Sequence, residues 1–161
     1  MNKEKKFVNA IKEHEGIIYK ITSIYSNSEE SQKDLYQEIV YQLWKSFDSF
    51  KGKSKFSTWM YRIALNTSIA HINKGKKKIR QVPMDFQLLT IAEEHDTLMA
   101  ERLSTLYSHI KLLSALEKGL ILLFLEGKSY EEIATITGFS KTNVGTRLGR
   151  IKNKLKSQIN K

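Results

Sequence analysis

Three groups of side chains in this chain could do chemistry. The first is an aromatic–basic run in which Phe50, Phe56, Trp59 and Tyr61 alternate with Lys51, Lys53, Lys55 and Arg62. Aromatic rings stack on unpaired bases for about 1–3 kcal/mol per base, while adjacent cations neutralise the backbone. The run therefore suits a single strand, or bases drawn out of a duplex. Phe56, Trp59 and Tyr61 are the better stacking candidates because they follow the basic loop. Trp44 and Phe47 suit an apolar core, and the plain alternative is that every one of these rings packs inward. The second group is a cationic C-terminal stretch carrying Lys141, Arg147, Arg150, Lys152, Lys154 and Lys156. The third is Glu13-His14-Glu15, which alone invites a metal ion. No His pair at i, i+4 accompanies it, so a solvated helix end is expected and no metal.

Enzyme chemistry finds little support. There is no Cys, hence no thiolate nucleophile, disulfide scaffold or zinc–sulfur site. His14, His71, His95 and His109 are scattered, and neither a nucleophile–base arrangement nor a phosphate-cradling Gly loop is present. The expectation is a non-enzyme without a cofactor. The longest apolar run, Leu120 to Leu125, is far short of the roughly 20 residues of a membrane span. The start of the chain lacks the uninterrupted apolar stretch of a signal peptide. A cytoplasmic protein without membrane insertion follows.

Charge supplies the partner. Lys and Arg total 27 against 17 Asp and Glu, a net +10, with pI near 9.7, a balance that suits a polyanion. Between 45 and 80 the only acid is Asp48, and none follows Glu132. Between these cationic blocks, Asp85, Glu93, Glu94, Asp96 and Glu101 stand without a single base from 81 to 101. Two separate polyanion contacts joined by an acidic linker explain the segregation.

The elements that must position these groups read as helices throughout. Phe7, Ile11, Ile17, Ile18, Ile21, Ile24 and Tyr25 recur at helical spacing, with an interruption expected at Gly16. The polar turn 26–30 offers N-caps for a second helix carrying Leu35, Ile39, Val40, Leu43, Trp44 and Phe47. Ser57-Thr58 is expected to cap a third helix with Trp59, Ile63, Ala64 and Ala70 inward. Lys74-Gly75 ends that pattern and Pro83 cannot lie within one. The expected division is a domain over 1–75, a linker over 76–102 and a second domain over 103–161.

In the second domain Leu112, Leu113, Leu116, Leu120, Leu123 and Phe124 are expected to form one apolar helix ending at Gly127. Ser129-Tyr130-Glu131-Glu132 fits a capping box opening a short helix with Ile133, Ala134 and Ile136. After the turn at Gly138, Ser140 caps a longer helix with Val144, Leu148, Ile151, Leu155 and Ile159 on one face. Short helix, Gly-bearing turn and longer basic helix make a helix-turn-helix, whose second helix enters the DNA major groove with its N-terminal residues at base edges.

These motifs together resemble the sigma-70 family of bacterial transcription initiation factors, in the small extracytoplasmic-function (ECF) group. Asp34-Leu35-Tyr36-Gln37-Glu38, Trp44 and the segment from Phe50 to Asn66 are similar to that group's sigma-2 domain. Leu125-Glu126-Gly127-Lys128-Ser129-Tyr130-Glu131-Glu132-Ile133-Ala134 and the helix that follows resemble its sigma-4 domain. The resemblance implies an all-α chain of two small helical domains on a flexible linker. It implies core RNA polymerase and promoter DNA as partners, with an anti-sigma factor as a further one. It assigns Asp34, Gln37 and Glu38 to the polymerase clamp. Lys53, Lys55, Phe56, Ser57, Thr58, Trp59, Tyr61, Arg62 and Asn66 fall to the minus-10 element, and Ser140, Lys141, Thr142, Asn143, Thr146, Arg147 and Arg150 to the minus-35 element. Gly145 and Gly149 stand where family members often carry larger side chains, both expected to project away from the core face. Ser114-Ala115 replaces the usual Pro that opens the first sigma-4 helix, a change of capping. The competing expectation is a helix-turn-helix regulator that binds duplex DNA without polymerase.

Overall fold

In the computed structural model, which describes residues 2–52, 55–74 and 97–160, helices form two separate units. The first unit holds α1 (Lys3–Tyr25), α2 (Glu29–Ser46), a single 3-10 turn (Phe47–Ser49) and α3 (Phe56–Lys74). Asn2 caps α1 by accepting from the Lys5 backbone N–H at 2.8 Å. Phe7, Val8, Ile11, Ile18, Ile21, Thr22 and Tyr25 then fall at three- and four-residue spacing and are buried. The expected interruption at Gly16 does not occur. One Gly costs a helix about 1 kcal/mol relative to Ala, and the buried face on both sides of it outweighs that. Ser28 caps α2, and Glu29 and Glu30 in its first turn complement the helix dipole. The hairpin between α1 and α2 is pinned by Gln32, whose amide donates to the Tyr19 carbonyl at 3.4 Å and the Thr22 hydroxyl at 3.2 Å.

Helix α3 packs on both α1 and α2, in a different phase from the one expected. Thr58, Met60, Tyr61, Ala64, Leu65 and Ser68 are buried, whereas Trp59 and Ile63 are half-buried and Ala70 is exposed. Polar and apolar residues are spread around this helix rather than gathered on opposite faces, so hydrophobic spacing alone does not set its rotation. Small polar residues can face inward because the helix itself satisfies them: the Ser68 hydroxyl donates to the Ala64 carbonyl at 2.8 Å.

The second unit contains α4 (Thr97–Ile110), α5 (Ala115–Leu125), α6 (Tyr130–Thr137) and α7 (Lys141–Ile159), with α7 packed against the other three. Because α4 begins at Thr97, the last residues expected in the linker are helical. The apolar helix expected from Leu112 begins only at Ala115, after a break that separates it from α4. Leu112 lies in the connecting turn, 76% exposed, while Leu113 is buried. Ser114 enforces the break with a reciprocal capping box: its hydroxyl accepts from the Glu117 N–H at 3.2 Å, and its own N–H donates to the Glu117 carboxylate at 3.0 Å.

Gly127 closes α5 with φ +82°. Its N–H donates to the Phe124 carbonyl and the Lys128 N–H reaches back to Leu123, at 3.0 and 3.1 Å, a Schellman closure requiring the left-handed conformation that only Gly adopts freely. Gly138 ends α6 in the same left-handed conformation at φ +86°, with a single bond from its N–H to the Ala134 carbonyl at 2.8 Å, the simpler left-handed cap. Ser129 with Glu132, and Ser140 with the Asn143 N–H, cap α6 and α7 as expected. Val144, Leu148, Ile151 and Leu155 are buried, whereas Ile159 at the end of the stripe is exposed. No helix among the described residues is long and apolar enough to cross a membrane.

Candidate nucleic-acid interface

In the first unit, the loop after the 3-10 turn brings its aromatic residues together at the start of α3. Phe50, Phe56 and Trp59 form a half-buried triangle with ring centroids 5.2–5.5 Å apart, and Phe47 approaches Trp59 at 6.4 Å. Around this patch Lys51, Lys55, Arg62 and Asn66 are exposed, and Ser57 is half-buried. Trp59, Arg62 and Asn66 follow one another at helical spacing, so α3 presents a ring, a cation and an amide along one edge. Lys53 lies outside the described residues.

Two members of the expected set point elsewhere. Tyr61 is 1% exposed and Thr58 6%, because the phase of α3 turns both into the core. As folded, Tyr61 offers no stacking surface, which corrects its placement among the bases. His14, read from the sequence as part of a solvated helix end, joins the patch instead. Its ring lies 5.2 Å from Phe56, and its Nδ1 is 3.0 Å from the Ala10 carbonyl. No sequence signal marks it, since the contact joins α1 to α3.

On α2, Asp34, Gln37 and Glu38 share a face, with Gln37 exposed and the two acids half-buried. Glu38 accepts from the Gln42 amide at 3.2 Å. Tyr36, which turns inward from this stretch, has a hydroxyl pushed far above the usual phenol range by burial and, secondarily, by the Glu15 carboxylate. It is a core group, not a titrating one.

In the second unit the expected minus-35 residues gather at the N-terminal half of α7. Lys141, Thr142, Thr146 and Arg150 are exposed. Ser140 is committed to its cap, and Lys141 pairs with Glu131 of α6 at 3.2 Å. Both partners are well exposed, so this pair contributes little to stability. Arg147 is held on two sides: its Nε donates to Asn143 Oδ1 at 3.1 Å, and its guanidinium carbon lies 4.7 Å from the Phe139 ring centroid. Gly149 is exposed with nothing near the position of a Cβ. Gly145 departs from expectation: a Cβ there would meet the Tyr130 ring at 3.4 Å, so this position faces α6. Lys152 is folded back over Phe124, its Nζ 3.8 Å from the ring centroid.

Two helical units, one with an aromatic–basic edge and one ending in a cationic recognition helix, define a DNA-binding transcription factor, and comparison with known proteins specifies its kind. The family model for Sigma-70 region 2 matches residues 10–78, and that for Sigma-70, region 4 matches 104–155. The RNA polymerase sigma factor SigV of Bacillus subtilis is 29% identical over 160 residues, covering 96% of this chain and 91% of that protein. The ECF RNA polymerase sigma-E factor of Haemophilus influenzae is 30% identical over 138 residues, covering 78% and 73%. Among solved structures, the sigma factor RpoE of Bartonella quintana, in complex with the anti-sigma factor NepR, shares the fold. Its TM-score is 0.69 at 21% identity, over 95% of this chain and 96% of that one. The chain belongs to the sigma-70 family of RNA polymerase sigma factors, in its ECF group, and is a factor of transcription initiation.

Proposed function

We propose that the chain divides its work between the two units. Asp34, Gln37 and Glu38 dock on core RNA polymerase. The edge formed by Phe50, Phe56, Trp59, Lys55, Arg62 and Asn66 captures bases of the minus-10 element as the duplex opens. The N-terminal half of α7 reads the minus-35 element. Catalysis of RNA synthesis stays with the polymerase, and this chain contributes binding energy and placement. The observation that carries the reading is the patch itself: three half-buried rings within 5.5 Å of one another, ringed by exposed cations. Solvent-facing aromatic edges beside Lys and Arg are what an extruded base and its phosphate require.

An anti-sigma protein is the proposed regulator, supported by the solved relative that was captured with one. The reading is tested by mixing the chain with core polymerase, following co-elution on a sizing column, and mapping start sites by run-off transcription from a genomic library. Co-elution with transcripts from a shared upstream motif is expected. Duplex DNA binding without co-elution would return the protein to the polymerase-independent class.

A further inference from the structure

The contacts of Arg147 assign different roles to residues that look alike on α7. We propose that Asn143 and Phe139 are positioning residues that hold Arg147 so that only the outer edge of its guanidinium faces DNA. On this view Arg147 reads a guanine, while Asn143 reads no base. The proposal deepens, and rests on, the reading of α7 as the minus-35 helix.

The chemistry follows from counting hydrogen-bonding groups. A guanidinium presents five N–H donors in one plane. The single Nε–H is taken by Asn143 Oδ1 at 3.1 Å, so the side-on edge that pairs Nε with one terminal nitrogen is closed. One face is occupied by the Phe139 ring, 4.7 Å from the guanidinium carbon, a cation–π contact within the effective range. The end-on edge remains, with its two terminal nitrogens side by side. That edge matches the O6 and N7 acceptors of guanine in the major groove. The side chain is fixed before DNA arrives, so less conformational freedom is lost on binding.

The same bond disarms Asn143. Asparagine recognises adenine by using its carbonyl and amide together, on N6 and N7. Here the carbonyl oxygen is turned to Arg147, since an N–H donor demands an acceptor. Its second lone pair stays open, but the bond fixes the amide plane against the guanidinium, so oxygen and NH2 are not free to align together on one adenine. The Asn143 backbone N–H is likewise committed, to Ser140 Oγ at 3.1 Å. Arg150, exposed on the same helix, is the contrasting case and suits a mobile phosphate contact. Phe139 lies in the turn before the helix, where its sequence position suggests only a connecting residue.

The test uses the full chain with core polymerase on a promoter library whose minus-35 region is randomised, sequencing the transcripts. Arg147→Ala should reduce a guanine preference at one position by about fivefold or more. Phe139→Leu and Asn143→Ala should relax that same position, should add nothing in the Arg147→Ala background, and should leave the melting temperature close to that of the parent. Phe139→Tyr, which keeps a ring face, should retain the preference. The proposal is overturned if Asn143→Ala relaxes a different position, if Phe139→Leu and Asn143→Ala depress all promoters alike, or if Arg147→Ala lowers binding uniformly with a reduced salt slope. A separate failure is recognisable: if neither Arg147→Ala nor Arg150→Ala alters minus-35 selection or DNA affinity, the assignment of α7 to that element is wrong and the positioning proposal falls with it.

Discussion

Gly149→Ala separates folding from DNA reading within one side chain. Gly149 lies in the middle of α7 (Lys141–Ile159), and the space where a Cβ would stand is empty to 4 Å. The added methyl therefore meets no protein atom, and helix propensity alone predicts stabilisation by about 1 kcal/mol. For a unit of this size that is a rise of roughly 4–8 °C in melting temperature. On DNA the same methyl is an obstruction. A helix with its side chains is about 10–12 Å across, and the major groove about 12 Å wide, so a glycine on the groove-facing side lets the backbone approach by about one methyl radius. Holding the helix back loosens the contacts of Thr142, Thr146 and Arg147, and loss of one good base contact costs about 1–3 kcal/mol, fivefold or more in affinity. Thermal melting followed by circular dichroism, beside promoter binding by the holoenzyme, measures both. A variant that melts no higher than the parent refutes the helical environment assigned to position 149. A variant that melts higher and binds promoters unchanged refutes the close approach and leaves the glycine merely tolerated. Gly145→Ala is the control, since its methyl touches the Tyr130 ring at an ordinary 3.4 Å and should stabilise at least as much.

Three further outcomes are expected. Phe56→Leu or Trp59→Leu should weaken promoter opening, seen as loss of permanganate reactivity, by about 1–3 kcal/mol per unstacked base, whereas Tyr61→Ala should lower stability by about 3–5 kcal/mol through the cavity it leaves; an opening defect in Tyr61→Phe with unchanged stability would contradict its burial. Asp34→Lys with Gln37→Lys should abolish co-elution with core polymerase while leaving the melting of the second unit intact, and retained co-elution would remove α2 from the polymerase contact. Burial alone would raise the Glu117 carboxyl, but the hydrogen bonds from Ser114 and Lys154 and the Lys154 charge together hold it below its ordinary 4.5. A group lowered in the folded state stabilises above its unfolded value and loses that contribution as pH falls through the folded one; Glu117→Gln should therefore flatten the fall in melting temperature below about pH 4.5, and an unaltered acid limb would dismiss the link.

The second unit was the more legible in sequence because its elements are bounded by residues with single conformational meanings. Ser129 with Glu132, Gly138 and Ser140 each act as caps or turns in the structure as their types and spacing require. Apolar spacing misleads at one of its boundaries: Leu112, Leu113 and Leu116 read as one apolar stripe, yet Ser114 and Glu117 form a capping box that starts α5, at the Ser114-Ala115 step that the family resemblance marks as a change of capping. Local hydrogen bonding at the cap defeats apolar periodicity when the two disagree. In the first unit the opposite holds, and tertiary burial carries α1 straight through Gly16.

The aromatic–basic stretch shows where reading by residue type must stop. Phe56 and Tyr61 are five residues apart, both aromatic and both beside cations, so composition assigns them the same role. Their fates differ because α3 has one rotation about its axis, and that rotation is set by long-range packing on α1 and α2, which the weak segregation of polar and apolar residues along α3 does not encode. Once Met60, Tyr61, Ala64 and Leu65 turn inward, Trp59, Arg62 and Asn66 must turn outward, and Phe56 is left at the helix start against Phe50 and His14. The residues exposed on the proposed DNA-facing edge are thus selected by the core beneath them. A core variant that shifts the phase of α3 should damage promoter opening, read as permanganate reactivity, although it replaces none of the residues of the proposed DNA-facing edge.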